Sequence, residues 1–442
     1  MAQIGFEGAL HLLGRIGIGP RPDELARFAA LDRDAAIATV VAELDGDDDG
    51  VPAAARPSVP PEGAGRREAI RLTTRATRRT LPIWQVERWL GTDQPAREGL
   101  IRFWHNHFTT HIGQIHWAPW LYQQDDLFRR EALHFDRLLA GVLRDPAMLV
   151  YLDQVHSHRR RPNENLAREL LELFTLGHGH YGESDVRELA RALTGASMDR
   201  PSFRYLYRPL FHDPGVKQIL GRSGRFGPDE VAPLLLEQPQ TARHVASRLY
   251  RWLVGAEAPL AEQEALGAVF RATWRTDLLI AEILARPAFW ASRGGRIRTP
   301  VDLVVGTLRT AGVRSLDQRA MGRLQRALQA LGEAPFNPPS VEGFPEGPAW
   351  IDTLRLRRRH DVLAGIIGNI ALRGRRGRVA AVVLDAAFDQ AMAAVPGATR
   401  REKLCAIALV TPPVTPLPDG AGPGGTLQLL RALLDEPALQ LG

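Results

Sequence analysis

Apolar side chains return every three to four residues along most of this chain, and that period admits little but α-helix. It predicts helices over Leu25–Val41, Leu81–Leu90, Ala96–His111, Leu121–Leu143 and Asn163–Leu176. Ser184 is placed to cap a helix running to Thr194, with Gly195 able to turn left-handed just past its end. The period resumes over Asp229–Leu235, Gln240–Leu253, Leu260–Arg271, Asp277–Leu284, Val301–Ala311, Ala349–Leu363 and Leu427–Leu434. Phe203–Phe211 breaks it. Aromatic and long side chains alternate there as in a strand, and Pro209, lacking an N–H, confines that strand to an edge. The expected fold is all-α, with at most a short edge strand or hairpin near 203–211. One unit is expected over 1–442, carrying a mobile acidic and Pro-rich loop at 45–65 and Pro/Gly-rich loops at Pro335–Pro348 and 412–425.

Composition removes several function classes. The formal net charge is +6, and Lys217 and Lys403 are the only lysines, so the basic residues are nearly all arginine. A guanidinium fork suits carboxylates and phosphates. Yet 50 acidic residues are mixed among them. The runs Arg159–Arg161, Arg357–Arg359 and Arg373–Arg378 therefore read as a solvated surface rather than a nucleic-acid face. No stretch approaches the ~20 apolar residues of a membrane span. The N-terminal apolar stretch is interrupted by Arg15 and glycines, so no export signal is read. A cytoplasmic location is expected, or an extracytoplasmic one had a leader been removed. The single cysteine, Cys405, excludes an internal disulfide and a cysteine-rich metal site, and is expected as a buried small hydrophobe. Signatures of P-loop, nucleophile-elbow and HExxH zinc enzymes are missing from the sequence.

Polar chemistry gathers instead in Asn163–Gly221, which holds Glu164, Arg168, Glu169, Glu172, His178, His180, Glu188, His212 and Asp213. At about 100° per residue, Glu164, Asn165, Arg168, Glu169 and Glu172 share one arc of roughly 140°. A polar face in water explains that arc, with Glu164–Arg168 as a weak i,i+4 pair. So does a covered face on which Glu169 and Glu172, three apart, share a cation. His212 and Asp213 sit at a turn closed by Pro214 and Gly215, a pattern that serves equally as a metal or base pair and as a cap. In Ala96–His111, the stripe Leu100–Trp104–His107–His111 sets two imidazoles one turn apart on an apolar face, while His105 points away. A histidine on such a face is a hydrogen-bonded core residue or a metal ligand.

These motifs carry a family likeness. HLLGRIGIGPRPDELARF (11–28), FWHNHF (103–108), DPAMLVYLD (145–153), NENLARELLELFTLG (163–177) and DVRELARALTG (185–195) occur in the order found in the bacterial family known as domain of unknown function 1800. FHDPGVKQILG (211–221), ARHVASRLYRWLV (242–254) and GFPEGPAWIDT (343–353) continue the match. The chain resembles that family nearly end to end. The resemblance implies a mainly helical fold and no settled activity. It places His105, His107, Glu164, Arg168, Glu169, Glu172, His212 and Asp213 inside the strongest motifs, and it lowers the standing of His111, His178 and His180. The family usually carries tryptophan where Ala196 and Phe344 stand here, which would alter any pocket those positions line.

The resulting expectation is a divalent-metal enzyme, hydrolytic rather than oxidative. His107, Glu169, Glu172 and His212 would be ligands to Zn, Mn or Fe. Arg168, Glu164 and Asp213 would be catalytic, with Arg168 holding an anionic small-molecule substrate. Two alternatives stay open. One is a non-enzymatic scaffold or binding protein with a structural Arg/Glu/His network, and the other is polyanion binding through the arginine runs.

Overall fold

The structure is a computed structural model that describes residues 2–46, 80–115, 117–199, 204–372, 389, 392–393, 395–409, 412–422 and 424–441. The loop expected at 45–65, beyond Gly46, and the arginine run 373–378 lie outside the described residues.

The chain opens with α1 (Gly5–Ile16), α2 (Pro22–Ala29), α3 (Arg33–Leu44), α4 (80–91), α5 (Pro95–His107), α6 (Ala118–Glu131), α7 (Phe135–Val142) and α8 (Pro146–Tyr151). Helix α9 (Asn165–Glu169) runs directly into a π-helical turn, Leu170–Thr175, followed by α10 (Glu183–Leu193). Two small antiparallel hairpins come next: β1 (Ala196–Met198) with β2 (Tyr205–Tyr207), and β3 (Lys217–Ile219) with β4 (Arg222–Gly224). Helices α11 (Pro228–Glu237), α12 (Pro239–Val254), α13 (Leu260–Thr273), α14 (Thr276–Ala285), α15 (Pro287–Ala291) and α16 (Pro300–Thr310) follow. The chain closes with α17 (Gln318–Leu331), α18 (Thr353–Leu372), α19 (Arg400–Ala408) and α20 (Gly425–Leu434).

The helical expectation holds, and the departures have local causes. Leu25–Val41 is two helices because Asp32 caps a new start by accepting from the Ala35 N–H (2.9 Å). Leu121–Leu143 is likewise two, because the strand-like contact of His134 with Arg275 and the Phe135 N–H to Trp274 carbonyl bond (3.0 Å) take the backbone out of the helix. Helix α5 stops at His107, so His111 is not on its stripe and instead accepts from the Gly113 N–H through Nδ1. Gly182, not Ser184, is the cap of α10, with the Asp185 carboxylate reaching back to its N–H, whereas Gly195 does turn left-handed (φ +86°). The hairpin near 203–211 forms over β1–β2; the second hairpin, β3–β4, was not anticipated. Cys405 is half-buried against the core rather than fully enclosed.

One continuous set of buried apolar side chains runs from α1 to the last turn of the chain, with a smaller cluster around Trp84, Trp120 and Phe336. Buried arginines tie helix ends into it. Arg309 donates to the carbonyls of Gly19 (2.8 Å), Trp89 (3.1 Å) and Thr92 (2.9 Å), and Arg21 donates to Leu90 (2.8 Å) and Gly91 (2.9 Å). The last carbonyls of α4 have no intrahelical partner, and a guanidinium with five N–H groups satisfies several of them at once. Glycine sets how closely α5 approaches α1: a Cβ at Gly99 would lie 1.9 Å from the Ile16 carbonyl oxygen. That contact seats α5, the helix from which the candidate site is built.

Candidate functional site

Consecutive residues on a helix point about 100° apart. His105, Asn106 and His107 accordingly reach three different neighbours. His105 Nε2 lies 2.9 Å from Asp125 Oδ1 on α6. Asn106 Oδ1 accepts from the Phe344 N–H at 2.6 Å, and Gly343 (φ +96°) packs so tightly that a Cβ there would sit 2.4 Å from the same oxygen. His107 Nε2 donates to the Phe174 carbonyl at 3.0 Å. The FWHNHF motif is thus a three-way junction that joins α6, the 340s loop and the acidic helix.

The third arm explains the π-turn. Closing that turn, the Leu176 N–H bonds to the carbonyl five residues back, Leu171 (3.0 Å). Three carbonyls near its end take side-chain donors: Phe174 from His107, Leu173 from His244 Nε2 (2.9 Å) and Leu176 from Gln240 (3.0 Å). A carbonyl only accepts, so each imidazole carries a proton on Nε2. Burial holds the pKa of His107 well below the ordinary value, with the nearby Arg248 charge adding to it. Burial likewise lowers that of His244, to about 4.

The first arm has different chemistry. Asp125 is 1% exposed and also accepts from Arg129 Nε at 2.7 Å. Burial alone would favour its protonated form, but Arg129 and then His105 hold its pKa far below the usual carboxylate range. Arg129 in turn forks onto Glu98 (2.5 and 3.1 Å), which also receives Arg88 (3.2 Å). A carboxylate fixed as an anion accepts a hydrogen bond from the Nε2–H of His105 and leaves Nδ1 as the nitrogen with the free lone pair. Among the described residues Nδ1 has no hydrogen-bond partner.

His105 lines a cavity of about 520 Å³ between α5, the end of α12 and residues 333–350. Trp89, Phe103, Trp252, Phe336, Phe344 and Trp350 supply aromatic surface, and Arg102, Arg251, Arg296, Glu333 and Glu346 supply charge. Arg102 and Arg296 both pair with buried Asp302, at 2.7 and 3.1 Å. Glu333 is 6% exposed, accepts from the Val301 N–H (2.7 Å) and has its pKa raised, chiefly by burial. Phe344 lines this cavity, and Ala196 is buried in β1.

The residues singled out from the sequence are dispersed. Glu172 is half-buried, accepts from the Tyr181 hydroxyl (2.5 Å) and lies 3.3 Å from His178 Nδ1. Glu169 is half-buried, and burial followed by the charges of Glu172 and Glu342 raises its pKa. Arg168 is bound at the surface by Glu183 (2.7 Å) and Glu164 (3.4 Å). His212 donates from Nδ1 to the Thr194 carbonyl (2.9 Å). Asp213 holds Arg191 (2.8 Å) and the Gly215 N–H (2.8 Å), clamping the turn to the end of α10. The structure therefore brings Glu169 near Glu172 but does not gather His107, Glu169, Glu172 and His212. Among the described residues, no three His, Cys, Asp or Glu side chains are grouped to hold a metal ion.

Sequence reasoning set His105 aside because its helical angle diverges from the apolar stripe. The divergence is what brings it to Asp125 and the cavity. Asp125 and Arg129, four apart in QQDDLFRR, have the spacing of an ordinary surface pair, and nothing local marks them as buried.

In comparisons with known proteins, the family described as "Protein of unknown function (DUF1800)" matches residues 11–441. No curated protein and no solved structure matches the chain.

Proposed function

The chain belongs to that family, and we propose that it binds a small molecule in the aromatic cavity beside α5 and performs acid–base chemistry on it through His105. The observation that carries this reading is the His105–Asp125 contact at the cavity wall. Asp125 keeps the imidazole in one tautomer and orientation, and its negative charge stabilises the imidazolium that forms when Nδ1 takes a proton from a bound molecule. Arg129 and Glu98 keep that carboxylate ionised and still. The aromatic walls exclude water, which strengthens each polar contact inside. This reading uses a different set of residues from the acidic helix. Arg168, Glu164 and Glu183 form a surface ion cluster whose role in it is structural at most.

One observation favours a second reading, a purely structural network: Glu98, Asp125 and Arg129 are each at most 9% exposed. Such a network fixes helix register without any chemistry.

The two readings separate in one experiment. Wild-type protein, His105→Asn and Asp125→Asn are incubated with a bacterial metabolite extract, and consumed compounds are followed by mass spectrometry beside urea unfolding of each variant. The catalytic reading expects at least one compound consumed by wild type, not by folded His105→Asn, and slowly by Asp125→Asn. Identical consumption profiles for wild type and folded His105→Asn would discard it in favour of the network.

A further inference from the structure

Apolar exposure on this protein is concentrated in one place. Among the described residues ten large apolar side chains are exposed, and five of them fall within 206–216: Leu206, Tyr207, Leu210, Phe211 and Val216. Apolar side chains exposed singly need no explanation, whereas a local group of them marks a surface that something covers. Leu210 is 82% exposed on the tight helical turn Pro209–Phe211 that follows β2, so it projects rather than packs. The run Arg159–Arg161 reaches the same spot. The His158–Arg161 bridge folds the run into a turn, and the Arg159 N–H donates to the Phe211 carbonyl at 2.7 Å. Arg208 lies over the Phe211 ring, 5.8 Å from its centroid, and Arg161, Arg208 and Phe211 share the wall of one open recess. Arg159, Arg160 and Arg161 are exposed, and none of them has an acidic partner among the described residues. Asp153 and Glu164 line the recess too, but Glu164 is held by Arg168 at 3.4 Å, and nearby Asp213 is held by Arg191 at 2.8 Å. The corner is therefore cationic as well as apolar.

From this pairing we propose that the Leu206–Phe211 tip and the arginine turn dock on a membrane surface that bears anionic headgroups. Leu210 and Phe211 enter the boundary between headgroups and acyl chains, and Arg159, Arg160 and Arg161 meet lipid phosphates. Charge complementarity and the projecting aliphatic side chain select this occupant together. A nucleic acid would engage the arginines and leave Leu210 in water. A rigid protein would need a pocket matched to Leu210, whereas fluid lipid adapts to it. The surface shares no residue with the cavity beside α5, so the proposal stands apart from the acid–base reading.

Flotation of the full chain with phosphatidylcholine vesicles, with and without phosphatidylglycerol, tests this. Wild type is expected to bind the phosphatidylglycerol vesicles at least about tenfold more tightly than phosphatidylcholine alone, and to leave them as salt rises. Arg159→Gln combined with Arg160→Gln should weaken that binding about 25-fold, roughly fivefold for each charge removed. Leu210→Ser should weaken it at least about tenfold by removing the inserted chain. Both variants change only exposed side chains, so their urea midpoints should match wild type. Failure to bind phosphatidylglycerol vesicles overturns the proposal. So does equal binding to the two kinds of vesicle, or unchanged binding by either folded variant. Tighter binding to duplex DNA than to vesicles, indifferent to Leu210→Ser, would overturn it in favour of a polyanion site.

Discussion

A buried neutral histidine makes stability depend on acid in a way that can be isolated at His11. This side chain on α1 is 1% exposed, and its Nε2 donates to the Phe289 carbonyl (2.8 Å), joining α1 to α15. Burial first, then the charges of Arg15, Arg296 and Arg293, lowers its pKa to about 4, against the bond to Phe289. In the unfolded chain the imidazole titrates near its ordinary value, about 6.5. A folded-state pKa below the unfolded value gives stability that is present above about 6.5 and is lost as pH falls toward 4. Between pH 7 and pH 5 the loss is about 2 kcal/mol for this one group. The whole-protein curve does not isolate it, because Glu43 and Asp145, pushed up to about 7 by burial, respond to acid in the opposite sense. The difference between wild type and His11→Leu does. At pH 7 the variant loses the bond to the Phe289 carbonyl, which keeps the Ser292 hydroxyl (2.7 Å) and N–H (3.1 Å) as donors, and costs roughly 0.5–1.5 kcal/mol. At pH 5 wild type bears the protonation cost and the variant does not, so the gap should shift by about 2 kcal/mol in the variant's favour. Urea unfolding of both proteins at the two pH values measures this. A gap that stays constant would mean that His11 takes up its proton equally in both states, and the argument from burial would fail.

Other perturbations test the remaining links. His107→Phe strips the Phe174 carbonyl of its donor in an apolar setting and should lower stability by roughly 1–3 kcal/mol in urea unfolding. No change would mean that the π-turn does not need its imidazole cap. Gly343→Ala forces a Cβ against Asn106 at a left-handed φ, so it should cost roughly 1–3 kcal/mol in urea unfolding. An unchanged urea midpoint would mean that this contact does not seat the 340s loop on α5. Arg168→Ala breaks only exposed ion pairs, so the urea midpoint and metabolite consumption should both match wild type. Lost consumption with an unchanged midpoint would return the catalytic role to the acidic helix.

Helix content was legible because the apolar period is a local property, repeated at every turn. Breaks set by distant partners were not. The turn at 132–134 answers to Trp274 and Arg275, and the π-turn answers to His107 and His244, none of which is near in sequence. The site divides the same way. The helical wheel rightly placed His107 on a buried face and left ligand and core histidine open, and the contact with Phe174 makes it a hydrogen-bonded core residue here. The wheel also collected Glu164, Arg168, Glu169 and Glu172 on one arc, but it could not say which other elements face that arc. Arg168 turns to Glu183 at the surface, and Glu172 to Tyr181. The cavity draws on residues from Gln85 to Trp350, so its existence depends on how α5, α12 and the 333–350 segment meet. Sequence likeness flagged FWHNHF and GFPEGPAWIDT separately; the Asn106–Phe344 bond is what joins them.

The central claim is that His105, oriented by Asp125, offers a basic nitrogen to the cavity. Acylation by diethyl pyrocarbonate, mapped by peptide mass spectrometry on the folded protein, reads this directly. The account predicts that His105 is modified while His11 and His107, enclosed and bonded to carbonyls, remain untouched. A His105 as silent as His107 would contradict it.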